Sequence, residues 1–292
     1  MSKKKKFTII GNCQVDALIN HLTACADFTS MYDYIRVPPI HTISIDKQQE
    51  LLEQIKYLDL VIQQPVVDEN RFPFLSNSVV LSAIKNDCKL IMIPSAYYTG
   101  YFPFYDSLDG VDGLIGGVHD YQVVDCFLNG FSLLETLEVI KNDRGIARQK
   151  LLNQHLLSIQ SLHRREIEFN LDIKLSAFII ENFQRERLFH TFNHPSSITV
   201  SYIANQILIL CGFDGTVKPA KTDVLGHIVL PVEKNISNIL GLEFNSEFFI
   251  INGKKVNFEE QVSSDFNLYQ GLDKTFLKSL LLNKKRFLIK VA

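Results

Sequence analysis

Four short apolar runs punctuate the first third of the chain. Phe7-Thr8-Ile9-Ile10 stops at Gly11, and Tyr34–Val37 stops at Pro38-Pro39. Asp59-Leu60-Val61-Ile62-Gln63-Gln64 stops at Pro65, and Lys89-Leu90-Ile91-Met92-Ile93 stops at Pro94. Each run is largely continuous in hydrophobicity rather than alternating, which predicts strands buried on both faces. Between them the period becomes helical. Val15, Leu18, Ile19 and Leu22 fall at i, i+3, i+4 and i+7 of a helix predicted from about Gln14 to Ala26. Asp46 reads as the N-cap of a helix through Tyr57, and Ser76 or Asn77 as the cap of one through Asn86. Repeated strand–helix–strand units predict an α/β fold, a parallel sheet flanked by helices.

From Pro94 to Gly117 the periodicity disappears and aromatic residues crowd together: Tyr97, Tyr98, Tyr101, Phe102, Phe104 and Tyr105. Two readings stand for this segment, a loop packed on itself and an aromatic wall of a ligand cleft. A helical insertion follows, with helices over Ser132–Lys141, Arg144–Phe169 and Asp172–Phe183. The long one carries the stripe Leu151, Leu152, His155, Leu156, Ile159, Leu162 and the basic group His163-Arg164-Arg165. Another apolar helix begins near Ile198 and closes at Gly212, a C-terminal cap. Beyond it, Ile228–Pro231 and Glu247–Ile251 read as extended, with a turn at Asn252-Gly253. The last helix is expected at Lys274–Leu282, and Lys284-Lys285-Arg286 reads as its solvated end. The expected division is an α/β catalytic domain over 1–214 and a C-terminal extension over 215–292, packed on it.

Composition narrows the function classes. The 292 residues are 46% hydrophobic, with a formal net charge of -2, so no broad basic surface for nucleic acid is expected. The five cysteines form no Cys-x-x-Cys pair and are odd in number, which suits a reducing, cytoplasmic compartment without structural zinc. Lys3-Lys4-Lys5-Lys6 is followed by too short an apolar run for a signal peptide, and no stretch has the length of a membrane span. Apolar surface and the C-terminal extension leave room for a homo-oligomer.

The candidate chemistry lies at Gly11-Asn12-Cys13-Gln14, where the first strand turns into the first helix. Ligand sites gather at the carboxyl ends of strands in open α/β sheets. A thiol at a helix N-terminus is expected to have a lowered pKa, because the dipole favours negative charge there. The plainer alternative is a small buried residue. A second run, His190-Thr191-Phe192-Asn193-His194-Pro195-Ser196-Ser197, places Pro195 in a first helical turn and His194 just before it. There the dipole disfavours imidazolium and leaves a ring able to accept a proton, so Cys13 and His194 make a candidate nucleophile–base pair. His190 and His194 are four apart, but Pro195 and the aperiodic run before it argue against a shared helix face and hence against a metal.

These residues resemble the WcbI family of capsular polysaccharide biosynthesis proteins. The resemblance rests on Gly11-Asn12-Cys13-Gln14, Gln63-Gln64-Pro65, Ile93-Pro94 with Tyr101-Phe102-Pro103, and Phe192-Asn193-His194-Pro195-Ser196. It implies a Rossmann-like or SGNH-like sheet. It also implies that coenzyme A or acetyl-CoA is a substrate, and that an acetyl group passes to a sugar hydroxyl of a capsular or surface glycan or nucleotide sugar. On that reading Cys13, His194, Asn12 and Gln14 are the catalytic candidates, the last two with backbone N–H groups for an oxyanion. Arg164, Arg165, Tyr101, His190 and Asn193 are the candidates for binding the donor. The layout is also similar to SGNH-type esterases, from which it departs with cysteine in place of serine and Thr191 three residues before His194, where they carry Asp. Two alternatives follow: an SGNH-like esterase or deacetylase, and a non-catalytic glycan- or nucleotide-binding module.

Overall fold

The computed structural model describes residues 3–142, 144, 147–214 and 216–282. In it the continuous apolar runs form a four-stranded parallel sheet. Strand β1 (Lys5–Ile10) lies between β2 (Tyr32–Tyr34) and β3 (Leu60–Gln63), and β4 (Lys89–Met92) pairs with β3. Phe7 to Ile10 and Leu60 to Gln63 are all essentially buried, as strands covered on both faces must be. The order β2-β1-β3-β4 means that the chain leaves β1 toward one edge and returns across it to build the other. Right-handed crossovers in opposite directions put their helices on opposite faces. The carboxyl ends of β1 and β3 therefore flank the point where the order reverses, the usual place for a ligand crevice.

Helix α1 (Gln14–Thr23) stops three residues short of the predicted end. Cys25 is extended (φ -85°, ψ 109°) and starts a separate short helix, α2 (Ala26–Met31). The strand expected at Tyr34–Val37 forms earlier because Tyr32 is the residue that packs: it stacks on Phe28 and meets Phe7 edge-on. Helix α3 (Ile45–Ile55) is preceded by Ser44 rather than Asp46, whose charge sits in the first turn and complements the dipole. Helix α4 (Asn77–Ala83) ends early, where Ile84 becomes extended. Ile10, Val61, Leu51, Ile55, Leu75 and Val80 form the core between this part of the sheet and α3 and α4. At the open edge, Asp172 accepts from the Met92 N–H through its carboxylate (2.7 Å) and donates its own N–H to Met92 O (2.9 Å), which blunts β4.

Contacts divide the chain into two compact units that interleave in sequence. The first comprises 1–97, 160–181 and 194–225, and holds the sheet; the second comprises 98–159, 182–193 and 226–292. Gly215 and Lys284-Lys285-Arg286 lie outside the described residues. Among the described residues no helix is long and apolar enough to cross a membrane.

In the first unit the helix Ser197–Leu210 packs on α1 and ends as its sequence predicts. Gly212 (φ +82°) donates to Ile209 O and Phe213 to Leu208 O, both at 2.9 Å, a closing motif that needs the left-handed conformation.

In the second unit the aromatic segment packs on its own surroundings. Tyr98, Tyr101, Phe102 and Phe104 are at most 1% exposed. The segment also contains a strand that the aperiodic sequence hid, Tyr105–Ser107, paired antiparallel with Val118–Asp120. The helix predicted from Arg144 begins at Arg148, because Arg144 is drawn into the core. There its guanidinium bonds Asp120, Glu233 and Gln122 and lies over the Phe104 ring. Along that helix Leu151, His155, Ile159 and Leu162 are buried, while Leu156 is exposed. The helices Leu133–Asn142 and Lys274–Leu282, and in the first unit Leu175–Asn182, lie where the pattern put them, within a few residues. The predicted turn at Asn252-Gly253 joins Phe249–Ile251 to Lys254–Val256, both turn residues having positive φ. A helix at Phe258–Gln270, absent from the reading of the sequence, is capped reciprocally by Asn257 and Glu260.

That helix carries a buried proton chain. His119 Nε2 donates to Val111 O (3.0 Å), so Nδ1 accepts from the Tyr269 hydroxyl (2.8 Å). Burial holds His119 below the usual imidazole range. Tyr269 also bonds Asp265, and Asp265 Oδ1 accepts from Gln261 (2.9 Å). The phenol has one proton and two claimants, so the chain is complete only when Asp265 is protonated and donates to the phenol oxygen. Burial is the main cause that pushes the Asp265 carboxyl up to about 7, and the nearby charge of Asp120 adds to it. A raised folded-state pKa gives stability that is full below the unfolded value and is lost as pH rises through the folded one. We predict that wild-type stability falls relative to Asp265→Asn as pH rises from about 4 to 7, by on the order of a few kcal/mol. Urea unfolding at several pH values checks this; parallel curves for the two proteins would refute it.

Candidate functional site

The site is built on β1 and β3 where they end. A Cβ on Gly11 would stand 2.6 Å from Gln64 Oε1, so only glycine lets the two strand ends close on each other. Gln64 Oε1 accepts from the Asn12 N–H (2.9 Å). Asn12 Oδ1 in turn accepts from the Gln14 N–H (2.9 Å), satisfying a free donor at the start of α1, while Nδ2 donates to Ser95 Oγ (2.9 Å). The Gln14 side chain is buried and pairs with the Ala96 backbone in both directions, donating to its carbonyl (2.8 Å) and accepting from its N–H (3.0 Å). Gln64 Nε2 also donates to Gln14 Oε1 (3.0 Å). Three amide side chains thus lock the segments 11–14, 64 and 94–96 together.

Cys13 lies on this frame as the residue preceding α1, with Sγ 3.8 Å from His194 Nε2. Both residues are half-buried. The thiol departs from the sequence expectation: its pKa is raised, not lowered. Burial is the main cause and the Asp16 carboxylate adds to it, against a smaller lowering from the Cys13 backbone N–H. Desolvation of a thiolate outweighs the dipole here. His194 and Pro195 are extended and precede the helix whose N-cap is Ser196, so Pro195 stands before the cap and not in the first turn. That helix start is held by the Ser197 N–H bonding Asp223 (2.6 Å) and by the Ser197 hydroxyl against His21 Nε2 (3.0 Å).

The other candidates fare differently. Asn12 is in place, but its backbone N–H and that of Gln14 are already bonded, as is the Gln14 side chain. The Cys13 N–H acts on its own thiol, and Asn12 Nδ2 spends one of its two protons on Ser95 Oγ. Arg165 lines a cavity of about 130 Å³ together with Ser95, Pro94, Leu162 and Phe169. It donates weakly to Ser95 O and Ser161 O, both at 3.4 Å, and burial pushes its guanidinium pKa down. Arg164 is exposed to solvent on the same helix. Tyr101 belongs to the second unit and is 0% exposed, with its hydroxyl bonded to Phe183 O (2.6 Å) and Glu186 O (3.1 Å). It is a core residue in this structure and offers no surface to a donor. His190 and Asn193 also belong to the second unit; Asn193 Oδ1 accepts from Thr191 Oγ1 (2.8 Å) and the His190 carbonyl from Leu230 (2.9 Å). Among the described residues no three His, Cys, Asp or Glu side chains are placed to hold a metal. Gln64 and Ser95 are the residues that sequence reasoning missed as parts of the site. A polar Gln-Gln pair ending an apolar strand was their one signal.

Replacing Gln14 by leucine would strip Ala96 of both partners and Gln64 of one, leaving buried polar groups unpaired. The expected cost is about 3 kcal/mol of stability, with loss of whatever activity Cys13 supports. Urea unfolding with unchanged stability would show that the amide frame is dispensable.

Residues 6–216 match the family described as "Polysaccharide biosynthesis enzyme WcbI". The fold matches a solved structure of WcbI, called a novel polysaccharide biosynthesis enzyme, with a TM-score of 0.86 and 20% sequence identity over 98% of this chain and 97% of that one. That structure is described as the native protein without a disulfide bond between coenzyme A and one of its cysteines. At this identity the likeness establishes the fold. No curated protein matches the chain. With the family match spanning most of the sequence and the fold agreeing over nearly all of it, the chain belongs to the WcbI family of polysaccharide biosynthesis enzymes.

Proposed function

We propose that the protein is a CoA-dependent acyltransferase that moves an acetyl group from acetyl-CoA to a sugar hydroxyl of a polysaccharide or its precursor. The observation that carries the reading is the Cys13–His194 pair, 3.8 Å apart at the carboxyl end of β1. The solved WcbI structure is described with reference to a disulfide between coenzyme A and a cysteine. A CoA thiol within reach of Cys13 fits that description.

In the proposed reaction His194 takes the thiol proton and Cys13 Sγ attacks the thioester carbonyl carbon. A new S–C bond forms, the CoA–acyl bond breaks, and His194 returns the proton to the departing CoA sulfur. The sugar hydroxyl then attacks the acyl-cysteine, giving its proton to His194, and the proton passes back to Sγ as the S–C bond breaks. Asn12 Nδ2, which gives one proton to Ser95 Oγ, would offer its second to the carbonyl oxygen in both steps, and one well-placed donor lowers such a barrier by ~3 kcal/mol. Because burial keeps the thiol protonated, His194 is required as base.

The purified full chain, mixed with acetyl-CoA and examined by intact mass, is expected to gain one acetyl group, absent in Cys13→Ala. His194→Ala should slow acetylation by about 10²–10⁴-fold. Cys13→Ser retaining most transfer would remove the covalent route in favour of direct attack by the sugar hydroxyl. No binding of acetyl-CoA, together with Cys13-dependent turnover of simple aryl esters, would replace the transferase by a hydrolase.

A further inference from the structure

The cavity beside Arg165 is not used by the chemistry above. Its walls are apolar except for Ser95 and Arg165: Pro65, Pro94, Leu162, Phe169 and Leu171 supply most of the remaining surface. Arg165 is the single charged residue lining it. Among the described residues no carboxylate lies within ion-pair distance of Arg165, and its two hydrogen bonds go to backbone carbonyls at 3.4 Å. The neighbouring Glu166 is fully buried and bound to the Ser176 N–H and hydroxyl, so its carboxylate is taken. Arg165 is half-buried with no anion bonded to it; burial is the first cause of its lowered pKa, and the charges of Tyr97 and Glu166 offset it only in part. Ser95 joins this cavity to the reacting end. Its carbonyl receives Arg165 Nη1, and its hydroxyl receives Asn12 Nδ2, one residue from Cys13.

We propose that this cavity is a subsite for the acceptor and that Arg165 receives the carboxylate of an acidic sugar, so that the enzyme selects a uronate-type acceptor. The inference rests on the transferase reading only in calling that ligand an acceptor. One guanidinium matches one carboxylate in charge and in fork geometry. The diphosphate of a coenzyme would bring at least two charges to a wall with one cation. The apolar walls suit the C–H faces of a sugar ring, as in pockets with few placed polar groups. Arg165 is on this reading a specificity residue and takes no proton.

The test is a titration of the full-length protein with methyl β-D-glucuronide and, in parallel, methyl β-D-glucoside and coenzyme A, followed by NMR. The glucuronide is expected to bind the wild type at least tenfold more tightly than the glucoside, and the difference should vanish in Arg165→Gln. Arg165→Lys, which keeps the charge but not the fork, should retain part of it. Thermal unfolding of both variants checks that they fold. Coenzyme A affinity is expected to stay within twofold of wild type. Equal binding of the two glycosides by the wild type would overturn the proposal. So would a fall in coenzyme A affinity in Arg165→Gln with glucuronide binding unchanged, which would assign the arginine to a phosphate. Failure of acetyl-CoA to bind the wild type at all would count against the transferase and leave glucuronide discrimination to be read on its own.

Discussion

Three amide side chains, two of them buried, cross the carboxyl ends of β1 and β3 and hold the turn that carries Cys13 in register. Gln64 reaches from the end of one strand to the Asn12 N–H at the end of the other, and Gln14 ties both to the backbone of Ala96. In a low-dielectric interior such a network is stabilising only when every member is paired, and a single vacancy is expensive. That cooperativity gives the turn between β1 and α1 one geometry. It also explains the glycine: any side chain at position 11 would displace the Gln64 oxygen on which the network closes. Topology places the frame at the reversal of strand order, where two neighbouring loops leave in opposite directions.

The parts of this fold that sequence made legible are those set by local pattern. Continuous apolar runs ended by Gly11, Pro65 and Pro94 marked the strands, and the Val15-Leu18-Ile19-Leu22 period marked α1, because burial on two faces and on one face leave different periods. The Cys13–His194 pairing was also foreseeable, since each residue sits at a strand–helix junction. What stayed hidden depends on partners distant in sequence. The strand Tyr105–Ser107 exists only because Val118–Asp120 lies alongside it. The helix Phe258–Gln270 buries Gln261 and Asp265 among its apolar residues, so its inward face does not read as hydrophobic even though Asn257 and Glu260 announce its start. Arg144 looked like the first residue of the long helix and is instead paired with two carboxylates in a core.

The cysteine shows the same limit at the level of chemistry. A helix N-terminus is visible in sequence, and its dipole argues for a lowered thiol pKa. Burial is not visible there, and at Cys13 burial wins. The consequence is functional. A thiol held protonated is a poor nucleophile toward chance electrophiles and resists oxidation, because the thiolate is the reactive form. On the proposed route it becomes reactive when its proton passes to the imidazole nitrogen 3.8 Å away. The amide frame contributes by fixing the turn between β1 and α1, so that Cys13 is held in one position at the strand end.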